Sequence, residues 1–176
     1  MFDGELIHVL VNHWPSRSGG EKRSEYGRIQ AAVQNRMIVD SLYAVNEFSK
    51  IVLMGDLNDD PKNVSMKKAL RCEDSPKNLP KRGLYNPMEK LLAHGTGTMA
   101  YRDAWSLFDQ VVVSKPFVEK EIGGWQFYKP VIYNKPYLLQ SKGTYKGYPY
   151  RTFDFDNFIN GYSDHLPVYL YFLKEK

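Results

Sequence analysis

IVLMGDLNDDP, residues 51–61, runs from an uncharged stretch straight into Asp56, Leu57, Asn58, Asp59, Asp60 and a proline. An apolar run this short, rich in branched residues and closed by turn formers, predicts a strand buried on both faces. Alternation along an extended chain places Asp56 and Asn58 on one side and Leu57 on the other. An acceptor-only carboxylate beside a carboxamide, at the mouth of a sheet, suits holding a water or hydroxyl near a phosphate or a metal. Taken alone, the same residues also suit an Asx-rich turn.

Working outward, Glu5–His13 (ELIHVLVNH) is a second strand with two largely apolar faces, stopped by Trp14-Pro15. A helical pattern follows from about Ser24, as N-cap, to about Phe48. Ile29, Val33, Met37, Ala44 and Phe48 form one apolar rib, with Ile38, Leu42 and Val45 beside it. Glu25, Arg28, Gln34 and Arg36 are expected on the wet side. Strand, helix and strand make a βαβ crossover. Beyond the acidic loop, short helices are expected at Val64–Leu70 and Met88–Ala93, and strands at Thr96–Ala100, within Trp105–Ser114 (Val111, Val112 and Val113 after Asp109) and at Leu166–Leu173. Lys115–Tyr162 is aromatic and basic, mixing strand-like pieces with loops.

The 176 residues are one domain's worth of chain. A net charge of +4 mildly favours anionic partners without diagnosing a nucleic-acid binder. A single cysteine, Cys72, rules out an internal disulfide and a cysteine-rich zinc site. No apolar run approaches the ~20 residues that a membrane span needs. The opening Met-Phe-Asp-Gly-Glu lacks the basic and apolar regions of a signal peptide, which leaves localisation open.

Polar groups collect at strand ends: His13 after VLVN, Asp56 and Asn58 after IVLMG, Asp109 before VVVS, and Asp164-His165 before LPVYLYF. A purely structural sheet has no need of such a gathering, whereas α/β enzymes build their sites this way. The motifs NHWPSR, GDLNDDP, D-x-VVVS and GYSDHLPV, in that order, resemble the endonuclease/exonuclease/phosphatase superfamily, with its pancreatic-deoxyribonuclease-like fold. The resemblance implies a four-layer α/β/β/α sandwich. This chain would supply half or most of it, as a single α/β (α+β) domain with a mixed, mainly antiparallel sheet and helices on one face.

The resemblance also implies roles. His13 contacts the scissile phosphate and serves as general acid, while Asp56 positions or deprotonates the attacking water. Asn58 bonds the phosphate or the metal shell. Asp164, with Asp56, ligates Mg²⁺ or Mn²⁺, both being hard oxygen donors. His165 stabilises charge on the phosphate, and Asp109 holds its ring; a carboxylate beside an imidazole raises the histidine pKa and favours the cation. Arg17, Arg28 and Asn12, around the NHW loop, are candidates for substrate contacts.

The match covers the C-terminal half of the family pattern. A complete member carries an Asn in its first strand and a metal-ligating Glu in a following one, and neither precedes His13 here. The chain is therefore expected to be N-terminally truncated, and its two-sided strands to have one face that nothing in it covers. Because a large bare sheet face is not tolerated by a soluble monomer, a homodimer through that face is expected. Three readings of function follow: a Mg²⁺-dependent, nuclease-like phosphoesterase acting on phosphodiesters or phosphomonoesters; an impaired fragment that keeps the fold; and a module binding nucleic acid. For the last, Lys142–Arg151 (KGTYKGYPYR) interleaves bases and aromatics as a single-strand groove does, although loop packing explains the same tyrosines.

Overall fold

In the computed structural model, which describes residues 1–174, the side chains of the 51–54 run face two different cores. Ile51 and Leu53 join Trp14, Ala32, Val39, Tyr43 and Val112 beneath a helix. Val52, one residue out of phase, joins Val111, Val113 and Phe117, with Met54 packed against them. The strand is buried on both faces because each face meets a separate layer.

The chain opens with β1 (Ile7–His13), α1 (Glu21–Val45) and β2 (Lys50–Asp56). β1 and β2 run parallel, in register from Ile7 opposite Lys50 to His13 opposite Asp56. Short strands β3 (Cys72–Glu73) and β4 (Leu84–Tyr85), the helix α2 (Glu89–Ala93), the ribbon β5 (Met99–Tyr101) with β6 (Ala104–Ser106), and β7 (Asp109–Ser114) follow. The strand expected within Trp105–Ser114 is β7, and Leu107-Phe108 separates it from β6. The central sheet has the order β1-β2-β7-β4-β3, with β7 antiparallel to both its neighbours. After β8 (Trp125–Ile132), the ribbon β9 (Phe153–Asp154) with β10 (Asn157–Phe158) precedes the last strand, β11 (Val168–Lys174). β8 and β11 pair antiparallel as a second sheet. The class is α/β with mainly antiparallel pairing, as expected.

This second sheet corrects the expectation of a bare face. Phe127 of β8 and Val168, Leu170 and Phe172 of β11 pack on the cluster of Val52, Val111 and Val113. The cover comes from this chain because β11 returns across the central sheet. It stops short of β1, where Val9 and Val11 remain 55% and 77% exposed.

Helix α1 differs from its expected rotation. Its buried positions are Arg28, Ala32, Asn35, Arg36, Val39 and Tyr43, while Val33, Met37 and Phe48 are exposed. Polar anchors on the inner face set the rotation. Asn35 donates to Asn12 Oδ1 at 2.7 Å, Arg36 donates to the Arg82 carbonyl at 3.2 Å, and Arg28 meets the acidic loop described below. Gly20 occupies the N-cap; Ser24, one turn in, donates its hydroxyl to the Gly20 carbonyl at 2.9 Å. Among the described residues no helix is long and apolar enough to cross a membrane. Cys72 lies in the core, where burial pushes its thiol up to about 12, so it is no nucleophile.

Candidate active site

Register builds the site. His13 lies opposite Asp56 across β1 and β2, and Asp56 lies opposite Asp109 across β2 and β7. Facing residues of paired strands point to the same side. Asp56 keeps the parity of Val52 and Met54, and Asp109 that of Val111 and Val113, so both look toward the second sheet. The loop entering β11 brings His165 to them. Its Nδ1 lies 2.7 Å from Asp109 Oδ2, and since a carboxylate only accepts, Nδ1 carries the proton. His13 Nε2 stands 3.6 Å from Asp56 Oδ2, and its side chain is 76% exposed.

Burial pulls the His165 pKa down, but the Asp109 hydrogen bond and the charges of Asp109, Asp56 and Asp164 outweigh it, and the pKa is raised. The ring therefore tends toward the cation near neutrality. Thr98, fully buried, holds the pair: its hydroxyl accepts the Asp109 N–H at 3.3 Å, and its carbonyl accepts the Leu166 N–H at 2.8 Å. Nothing in the GTGT context singled out Thr98.

The acidic loop is a structural hub. Asp56 Oδ1 accepts the Asn58 N–H at 2.9 Å, an Asx turn. Asn58 has φ +52, so the strand alternation that aimed it beside Asp56 ends at Asp56. Its amide donates to the Trp14 carbonyl at 3.0 Å, while Trp14 N–H donates to the Asp56 carbonyl at 2.9 Å. The ends of β1 and β2 are thereby latched together. Gly55 permits the latch: at φ +134, any Cβ there would collide with the Asn12 carbonyl.

The three expected substrate contacts are absorbed by this hub. Arg28 is 0% exposed and pairs with the equally buried Asp59, Nε to Oδ1 2.7 Å; enclosed and neutralised, it cannot meet a substrate phosphate. Arg17 donates to the Asn58 carbonyl at 2.9 Å, pairs with Asp59 at 3.2 Å, and lies over the Phe108 ring. Asn12 Oδ1 accepts from Trp14 Nε1 at 3.1 Å as well as from Asn35. Asp59, which sequence reasoning passed over, also accepts the Ser65 hydroxyl at 2.6 Å. Asp60 accepts the Leu107 N–H at 2.7 Å; burial raises its pKa against that bond and Arg17.

Donor atoms of Asp56, Asp109 and His165 lie within 4.8 Å of one another, a group able to hold a metal ion. His165 engages Asp109 Oδ2 and the Asn58 N–H engages Asp56 Oδ1, which leaves Asp56 Oδ2 and Asp109 Oδ1 as the open carboxylate oxygens. That suits a hydrated hard cation, which takes one or two carboxylates and completes its shell with water and phosphate. Asp164 is exposed and stands outside that group. In Lys142–Arg151 the tyrosines pack on one another or on neighbours: Tyr145 on Tyr148, Tyr148 on Trp105, and Tyr150 on Tyr162.

A layered α/β fold with carboxylates and imidazoles gathered at one set of strand ends defines the class. The chain belongs to the endonuclease/exonuclease/phosphatase family, whose profile matches residues 1–174. Among solved structures, SmcL superposes on 96% of this chain and 54% of its own, with 18% identity and a TM-score of 0.50. A mannosyl-6-phosphatase of Bacteroides thetaiotaomicron covers 85% of this chain and 46% of its own at 16% identity, TM-score 0.46. An endonuclease/exonuclease/phosphatase family protein of the same organism covers 84% and 46% at 17% identity, TM-score 0.44. The chain thus spans about half the length of these structures. Comparison with curated proteins gives no match.

Proposed function

We propose that this chain carries the catalytic strand ends of a divalent-cation-dependent phosphoesterase, cleaving phosphodiester or phosphomonoester bonds. The observation that carries the reading is the Asp109–His165 pair set beside Asp56. Held through Nδ1, His165 presents Nε2–H to a phosphate oxygen as a fixed donor with positive charge. Preorganised donors of this kind lower the cost of charge developing in the transition state. Asp56, fixed on one oxygen by the Asn58 N–H, offers the other to orient or deprotonate the attacking water. His13, exposed and 3.6 Å from Asp56, can protonate the departing oxygen. A Mg²⁺ or Mn²⁺ ion held by Asp56 would neutralise charge on the phosphate oxygens.

The test is hydrolysis of bis(p-nitrophenyl) phosphate and of p-nitrophenyl phosphate, with Mg²⁺ or Mn²⁺ and with a chelator. Metal-dependent turnover is expected, and His165→Ala should lower it by roughly 10²–10⁴-fold, the range for general acid–base and charge-stabilising groups. Turnover unchanged in both Asp56→Ala and His165→Ala would overturn the assignment.

A further inference from the structure

The ribbon of β9 and β10 carries its apolar side outward. Phe153 lies opposite Phe158 and Asp154 opposite Asn157, and facing residues of paired strands point to one side. Asp154 looks into the protein: it is half-buried, its Oδ1 is closed to solvent, and it lies beside Tyr137 and Tyr150. Phe153 and Phe158 look the other way, both exposed, with ring centroids 5.4 Å apart. A ribbon that serves only the fold does the reverse, apolar side in and polar side out.

The tip continues the pattern. Phe155 opens the two-residue turn at φ +51, in the left-handed region where Gly or Asn is the usual choice. Its side chain is 86% exposed. A phenylalanine at this position helps neither the turn nor the core.

The base of the ribbon is fixed and cationic. The Ile159 N–H donates to the Thr152 carbonyl at 2.9 Å, and the Thr152 hydroxyl reaches the carbonyls of Gly161 (3.3 Å) and Tyr162 (3.2 Å). Tyr137 and Tyr162, both exposed, meet there with centroids 5.8 Å apart. Across residues 135–162 the four cations Lys135, Lys142, Lys146 and Arg151 outnumber two acids, the enclosed Asp154 and Asp156 at the tip.

We infer that this ribbon docks the protein on an anionic lipid surface, with Phe153, Phe155 and Phe158 entering the acyl boundary. The inference stands apart from the phosphoesterase reading, since it concerns where the chain sits and not what it cleaves. Aromatic residues backed by Lys and Arg are the pattern of an interfacial anchor, and tyrosines suit the headgroup level. The three rings present roughly 400 Å² of apolar surface, about half of what one side of a standard protein interface buries. A bilayer sets no such minimum, because binding grows with each apolar group inserted and each cation near the headgroups.

Vesicle co-sedimentation of the whole chain tests this with phosphatidylcholine alone and with added phosphatidylglycerol. The chain should bind the anionic vesicles roughly tenfold more tightly, since each basic residue near such a surface adds to the attraction. Phe155→Asn should weaken that binding roughly 10–100-fold, the effect of withholding one phenylalanine ring. Its melting temperature should hold, because Asn takes the left-handed turn position readily. Lys142→Gln combined with Lys146→Gln should erase the preference for phosphatidylglycerol. Failure of the chain to sediment with either vesicle, or binding by Phe155→Asn equal to that of the original chain, overturns the inference. Self-association without vesicles that Phe155→Asn abolishes overturns it too, and assigns the three rings to a second copy of this chain.

Discussion

Asp109 and His165 form the contact on which the proposed chemistry turns, and their pairing has a direct pH signature. The His165 pKa is raised in the folded protein, so the folded state binds the proton more tightly than the unfolded chain. The stabilisation is fully present below the unfolded histidine value, ~6.5, and is lost as pH rises through the higher folded value. Asp109→Asn removes the opposing carboxylate. In metal-free protein the NMR titration of His165 should shift to lower pH. The variant's deficit in thermal stability should be largest below pH ~6.5 and shrink toward alkaline pH. An unshifted titration would show that Asp109 does not set the charge of this ring. The strand-end positions of His13, Asp56 and Asp109 were legible in sequence because each sits at a fixed parity beside an apolar run, and that of His165 because it lies just before one. Asn58, Asn12, Arg17 and Arg28 were not, because what neutralises or bonds them comes from elsewhere in the chain. For Asn58 it is the Trp14 carbonyl, and for Arg28 it is Asp59.

Helix α1 and the acidic loop show where periodicity stops being informative. The apolar rib through Val33 and Met37 is real in the sequence, yet the helix turns Arg28, Asn35 and Arg36 inward. Each of these finds a partner outside the helix: Asp59 for Arg28, Asn12 for Asn35 and the Arg82 carbonyl for Arg36. Replacing Arg28 by Met removes the fully buried partner of Asp59 and leaves it Arg17 and the Ser65 hydroxyl, so the loss should fall below the roughly 3–5 kcal/mol of a buried charge with no partner; urea unfolding measures it. Adding Asp59→Leu to Arg28→Met should recover much of that loss, since a buried ion pair and an apolar pair of similar volume are often equivalent. β2 depends in the same way on Gly55, whose φ of +134 and contact with the Asn12 carbonyl leave no room for a Cβ. Gly55→Ala should lower the melting temperature, and it should raise amide exchange at His13 and Trp14 ahead of β7. Exchange rising first in β7 would place the strain elsewhere.

Three layers, α1, the central sheet and the β8–β11 pair, share one apolar interior on each side of β2. Phe117 is fully buried and meets Phe172 with ring centroids 4.8 Å apart, joining the second sheet to the first. The cover over β2 and β7 was not legible in the sequence. β11 keeps a clean alternation, Val168, Leu170 and Phe172 inward and Tyr169, Tyr171 and Leu173 outward, but β8 carries an extra residue, Tyr128, opposite the step from Tyr171 to Phe172, so its own alternation changes phase there. Self-association, expected for a bare sheet, is retained as a proposal for β1 alone, where Val9 and Val11 flank an open strand edge. Sedimentation velocity at micromolar concentration should then show a dimer that Val11→Lys dissociates; a well-folded monomer removes the proposal. The register His13–Asp56–Asp109 also has a kinetic side. Its members come from three strands, and His165 joins from 56 residues beyond Asp109. No helix or hairpin that forms early holds more than a part of this set. On refolding, the proposed activity should therefore be among the last properties to return, after the slow closure of long-range strand pairs.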